Sequence, residues 1–167
     1  MDKKERIKEL RRKNALIQLC NDWKKNDISI SLDNFLDLNE TAYINNKIMD
    51  ILHEMDENNK SIVYEKKSIK EYKQKILLYL DDKEKYIFFV KESCEYGAMI
   101  LSGKVLKDNI EFILSESELL KDNVEYVSSE SELSYNGRCC GIFCCSQNAE
   151  KGICLWHSEY DDRIYIW

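Results

Sequence analysis

The densest chemistry in this 167-residue sequence lies near its end, where Cys139, Cys140, Cys144, Cys145, Cys154 and His157 fall within a short stretch. Among them Cys140, Cys144, Cys154 and His157 have the spacing C-x3-C-x9-C-x2-H, a set of thiols and an imidazole of the kind that holds zinc. Strand geometry weighs against such a site. If residues 138–145 and 152–157 pair as a hairpin around the loop 146–151, centring that loop sets Cys140 opposite His157 and Phe143 opposite Cys154. Alternation along each strand then sends Cys154 to the face away from Cys140 and Cys144. A one-residue slip of register, or a bulge at Gly141, would restore the site. The expectation is no metal and no other cofactor, with the cysteines acting as small buried apolar residues.

A thiol nucleophile also needs a base, and the sequence offers two histidines, His53 and His157. His157 falls opposite Cys140 in the same hairpin, but no third group to orient its ring is evident, and the adjacent thiols match no local catalytic signature. His53, beside Leu52 in a helical stretch, reads as a boundary residue. The glycines at 97, 103, 137, 141 and 152 make neither a Walker loop nor a dinucleotide fingerprint. With 31 acids in the chain, two carboxylates close in sequence say little about a shared, tuned site. No catalytic residue is expected and the chain reads as a non-enzyme. The competing reading is a small thiol-dependent enzyme or redox protein using the cluster from Cys139 to Cys154.

The compartment follows from the same thiols. Seven cysteines is an odd number, two pairs of them are adjacent, and the charged residues 1–13 carry no apolar core of an export signal behind them. Reduced thiols in the cytoplasm are expected, with no membrane span, because no apolar run approaches the roughly 20 residues that a bilayer requires. Net charge is −6, but residues 1–25 carry nine Lys or Arg against four acids, which leaves −11 on the rest. An acidic body disfavours nucleic acid and favours a basic partner. The basic first helix has no interleaved aromatics and reads as a solvated face rather than a nucleic-acid contact.

The elements that must position these residues divide the chain into a helical part, 1–80, and a β-rich part, 84–167, within a single domain 1–167. A first helix carries Ile7, Leu10, Ile17, Cys20 and Trp23 and ends at Asn26-Asp27. An irregular stretch follows over 28–38. A second helix carries Ile44, Ile48, Ile51, Leu52 and Met55, and a third carries Ile69, Tyr72, Ile76, Tyr79 and Leu80. From residue 84 the period becomes alternating, with strands expected at 86–90, 98–105, 110–113 and 124–127, separated by turns too close for helical crossovers. The fold class is therefore α+β, with N-terminal helices packed on one face of a mainly antiparallel C-terminal sheet. A tandem repeat is embedded in it: KDNIEFILSESEL at 107–119 and KDNVEYVSSESEL at 121–133 are identical at nine of thirteen positions. Each copy reads as a short strand followed by one helical turn with an acidic tip.

With its opening helix RRKNALIQLC and its closing EYDDRIYIW, a Lys-, Asn- and Ile-rich acidic chain of this kind resembles the small immunity proteins of bacterial toxin-immunity systems. The resemblance implies an inhibitor that binds a cognate toxin domain, often a basic nuclease, and occludes its active site, with no direct contact to nucleic acid or membrane. The residues expected to meet that partner are the repeat acids Glu116, Glu118, Glu130 and Glu132 and the acidic turn Glu159, Tyr160, Asp161 and Asp162. Carboxylates there can pair with Lys or Arg, and an amphipathic aromatic supplies contact area. A third reading is a structural or regulatory partner of some other protein.

Overall fold

The computed structural model describes residues 3–64, 69–89, 93–116, 141–157 and 162–167. In chain order they form α1 (Lys3–Lys24), a single 3-10 turn (Leu32–Asn34), α2 (Leu38–Glu57), β1 (Ile62–Tyr64), α3 (Ile69–Tyr79), β2 (Lys85–Phe89), α4 (Ser93–Tyr96), β3 (Met99–Ser102), α5 (Gly103–Glu116), β4 (Gly141–Ser146), β5 (Gly152–His157) and β6 (Asp162–Ile166). The strands make one sheet in the order β1-β6-β5-β4-β2-β3, with every neighbouring pair antiparallel. The fold is α+β, as the periodicity predicts.

Helices cover both faces of this sheet, not one. Phe88, Cys144, Ile153 and Leu155 face the layer formed by Tyr72 and Ile76 of α3, Leu106, Ile110 and Ile113 of α5, and Trp23 at the end of α1. Ile87, Phe89, Phe143, Cys145, Cys154 and Tyr165 face Ile44, Ile48, Leu52 and Met55 of α2. The reason is legible in β2: after Lys85 all four of its residues, YIFF, are buried. A strand apolar at every position needs cover on both sides.

The largest departure from the periodicity is α5, where residues 103–105 and 110–113 were expected as strand. Ile110, Phe112, Ile113 and Leu114 look β-like over a short window. Leu106, Ile110, Ile113 and Leu114 nevertheless repeat at helical spacing and are all buried. The start is fixed by Ser102, whose Oγ accepts from the Val105 N–H at 3.2 Å, an N-cap bond. Lys104 and Asp108 pair at 2.8 Å one turn apart, and Lys73 of α3 pairs with Glu111 across the two helices. The first repeat copy is thus helical through Glu116; the second copy and the strand expected at 124–127 lie outside the described residues. β1, three residues long, falls within the part expected to be helical and closes the sheet edge against β6.

Helix α1 is tied down in an unexpected way. Arg12, read as one of the solvated cations, points inward: its Nε and Nη2 donate to the Tyr96 carbonyl at 3.1 and 2.8 Å, and Nη2 also donates to the Leu36 carbonyl at 3.1 Å. The guanidinium thereby satisfies carbonyls at the end of α4 and beside the 3-10 turn. Gly97 completes the joint, with φ +101° and its α-carbon so close to the Leu36 carbonyl that a Cβ would collide with it. Replacing Arg12 by Ala should cost about 2 kcal/mol, because half-buried carbonyls lose a charged donor, and Lys should recover only part of it. Urea unfolding of the two variants checks this; an Ala variant as stable as the parent would show the clamp to be incidental.

Candidate functional site

The cysteine hairpin forms in the expected register. Phe143 pairs with Cys154, Cys144 with Ile153 and Gly141 with Trp156. Cys144 therefore faces the α3 and α5 layer, while Cys154 faces α2 together with Cys145. All three side chains are fully buried. Burial pushes the Cys144 and Cys154 thiols well above their usual range and Cys145 up to about 12. A thiol held protonated and buried in a core is a poor nucleophile. Cys139 and Cys140 lie outside the described residues. His157 ends β5 opposite Asp162. His53 stands exposed on α2 with its Nε2 3.4 Å from the Glu57 carboxylate.

The acidic residues named from sequence are placed only in part. Glu116 ends α5 and Asp162 begins β6; Glu118, Glu130, Glu132, Glu159, Tyr160 and Asp161 lie outside the described residues. The rest of the closing segment is built into the fold. Tyr165 donates its hydroxyl to the Asp56 carboxylate at 2.9 and 3.1 Å, and Arg163 donates to the same group at 3.2 Å, which joins β6 to α2. Trp167 donates from Nε1 to the Ala149 carbonyl at 3.1 Å and lies flat against Gly152, where any side chain would strike its ring.

A surface that sequence periodicity does not single out is the outer side of α2. The helix starts at Asp37, whose carboxylate accepts from the N–H groups of Asn39 and Glu40 at 2.7 and 2.8 Å. Thr41 fixes its pitch against β3: its hydroxyl donates to the Asp37 carbonyl at 2.7 Å and accepts from the Ala98 N–H at 3.0 Å. With Ile44, Ile48, Leu52 and Met55 turned to the sheet, the helix presents Glu40, Asp50, Glu54 and Glu57 to solvent. Two apolar side chains of this helix are also exposed, Tyr43 at 69% and Met49 at 37%, about a third of a turn apart around it. Beside Tyr43 an open notch of about 390 Å³ is floored by Leu36, Ile44 and Ile87 and rimmed by Asn39, Glu40 and Gln147. Lys47 of the same helix donates to the Asn148 carbonyl at 2.7 Å.

An exposed aromatic and a carboxylate at the rim of an apolar notch can accommodate the aliphatic stem and charged head of a lysine or arginine. The readable sign in the sequence is the phase of Tyr43 and Met49: both belong to a helix whose buried stripe is complete without them. The fold is α+β with a six-stranded antiparallel sheet, and Cys144, Cys145 and Cys154 are buried in its core. Compared with models of known protein families, with curated proteins and with solved structures, the chain gives no match. Among the described residues, no helix is long and apolar enough to cross a membrane.

Proposed function

We propose that the chain is an immunity-type binding protein, which captures a basic toxin domain in the cytoplasm and blocks it without doing chemistry of its own. The observation that carries this reading is the outer side of α2, where Tyr43 stands exposed with Glu40 at the edge of the notch, and Asp50, Glu54 and Glu57 continue the exposed acidic side of the same helix. Aromatic area supplies affinity, and the carboxylates supply steering and choice of partner. The charge division agrees with it, since the chain outside residues 1–25 carries −11. The carboxylates from Glu116 to Glu132 and from Glu159 to Asp162 extend the same acidic chemistry in this reading. Burial speaks against a thiol enzyme that uses Cys144, Cys145 or Cys154; Cys139 and Cys140 of the same cluster lie outside the described residues.

The test is capture of the toxin domain encoded by the neighbouring gene. The tagged chain should retain that domain at low salt and inhibit it stoichiometrically, and association should slow as salt rises. Failure to retain or inhibit it at any salt concentration would remove the immunity reading.

A further inference from the structure

Helix α1 has two apolar faces, and the fold uses one. Leu16 and Trp23 are buried and Arg12 is clamped inward on the same side. On the opposite side Ile7, Leu10 and Ile17, expected from their spacing to share a core face with Trp23, are 43, 54 and 42% exposed. The reason for the difference is phase: Ile7, Leu10 and Ile17 lie roughly 100–180° around the helix from Leu16 and Trp23.

The outward residues follow a stricter pattern than amphipathicity. Lys3, Ile7, Leu10, Asn14, Ile17 and Asn21 succeed one another at steps of four, three, four, three and four, and all are exposed. In coiled-coil register Ile7, Asn14 and Asn21 take a and Lys3, Leu10 and Ile17 take d, so Ile7, Leu10 and Ile17 supply the apolar contacts and the other three seam positions are polar. Asn at a, as at Asn14 and Asn21, specifies register at a cost in stability. The flanking positions are basic in the first two heptads, Lys4 and Arg11 at e and Arg6 and Lys13 at g, all exposed, and Gln18 and Cys20 follow at e and g.

We infer that the solvent face of α1 is a docking seam for one acidic amphipathic helix of another protein, carrying apolar a and d residues, an Asn facing Asn14, and Glu or Asp at e and g. The flanking charges choose this occupant. A second copy of α1 offers no acid at e or g in either orientation, and in parallel it sets Arg6 of each copy against Arg11 of the other. An anionic membrane surface fits less well, because the apolar stripe is only two positions in seven and is broken by Asn14 and Asn21. Interfacial helices present a broader face bearing large apolar and aromatic residues. The inference rests on α1 alone and stands apart from the reading of α2, which takes a partner of the opposite charge.

The experiment uses the full chain and two synthetic three-heptad peptides, identical at a and d with one Asn at a, bearing Glu at all e and g positions in one and Lys in the other. Calorimetric titration should show one Glu peptide bound per chain and no binding of the Lys peptide. The double variant Leu10→Glu/Ile17→Glu changes only exposed positions and should keep its circular dichroism while binding the Glu peptide about 100-fold more weakly. A second variant, Arg11→Glu/Lys13→Glu, should shift preference toward the Lys peptide, a reversal that damage to the fold cannot produce. Four results would each overturn the inference: no binding of the Glu peptide; equal binding by the Leu10→Glu/Ile17→Glu variant; a dimer of the chain alone that the same variant dissolves; or sedimentation with phosphatidylserine vesicles that the variant abolishes and the Glu peptide does not compete.

Discussion

Raising the pH above 9 should destabilise the protein by about 1.4 kcal/mol per pH unit for each of Cys144, Cys145 and Cys154. In the unfolded chain these thiols lose their protons near the ordinary value of 9.0, whereas burial keeps them protonated in the fold, Cys145 up to about 12 and the other two well beyond their usual range. The folded state therefore binds more protons than the unfolded one over this window. Their contribution is fully present below pH 9 and is lost as pH rises through the folded values. Tyr72, fully buried with its hydroxyl donating to the Ile142 carbonyl at 3.2 Å, is also held above its usual value by burial and adds to the loss above pH 10. Urea midpoints at pH 8, 9, 10 and 11 measure the slope, and Cys145→Ala should reduce it by one group's share. A midpoint that stays level from pH 8 to 11 would mean that these thiols are not sealed in the core.

The second large effect concerns Phe143, on the central strand β4. It is fully buried, meets Phe89 edge-on with ring centres 5.9 Å apart, and lies 6.3 Å from the Trp156 ring. Phe143→Ala should cost about 3–5 kcal/mol, the transfer free energy of the ring plus the cavity that a sheet held by neighbours on both sides cannot collapse. Leu78→Ala, at a position 87% exposed, provides the contrast and should change stability by less than about 0.5 kcal/mol. Denaturant unfolding compares the two; similar small losses in both would place the core elsewhere than between α2 and β4.

Much of this framework is readable from residue order, and the failures have definite causes. The stripes of α2 and α3 and the run YIFF of β2 are long or uniform enough to leave little choice. The register of β4 and β5 follows from centring one short loop, and it places Cys144 and Cys154 on opposite faces. In α5 the run from Ile110 to Leu114 satisfies both periods over five residues. The choice is made by Leu106 and the Ser102 cap, which lie upstream of that window. Helix α1 misleads in the opposite way, because apolar residues more than a quarter turn apart look like one stripe until Arg12 shows which side faces the protein. The outer patch of α2 escapes a search for motifs because no motif is there: Tyr43 and Met49 matter through being out of phase with a core they do not join.

The central claim is that the acidic outer side of α2 receives a basic protein partner, and titration of the cognate toxin domain against surface variants at two salt concentrations tests it most directly. The double reversal Asp50→Lys/Glu54→Lys should weaken binding at least about tenfold and slow association most at low salt. Tyr43→Ala should weaken binding to a similar degree with little salt dependence, as loss of a contact aromatic does. Both variants should unfold at the parent's denaturant midpoint, since these side chains face water. Affinity and on-rate unchanged in both variants, with a complex still formed, would contradict the account by placing the partner on another face.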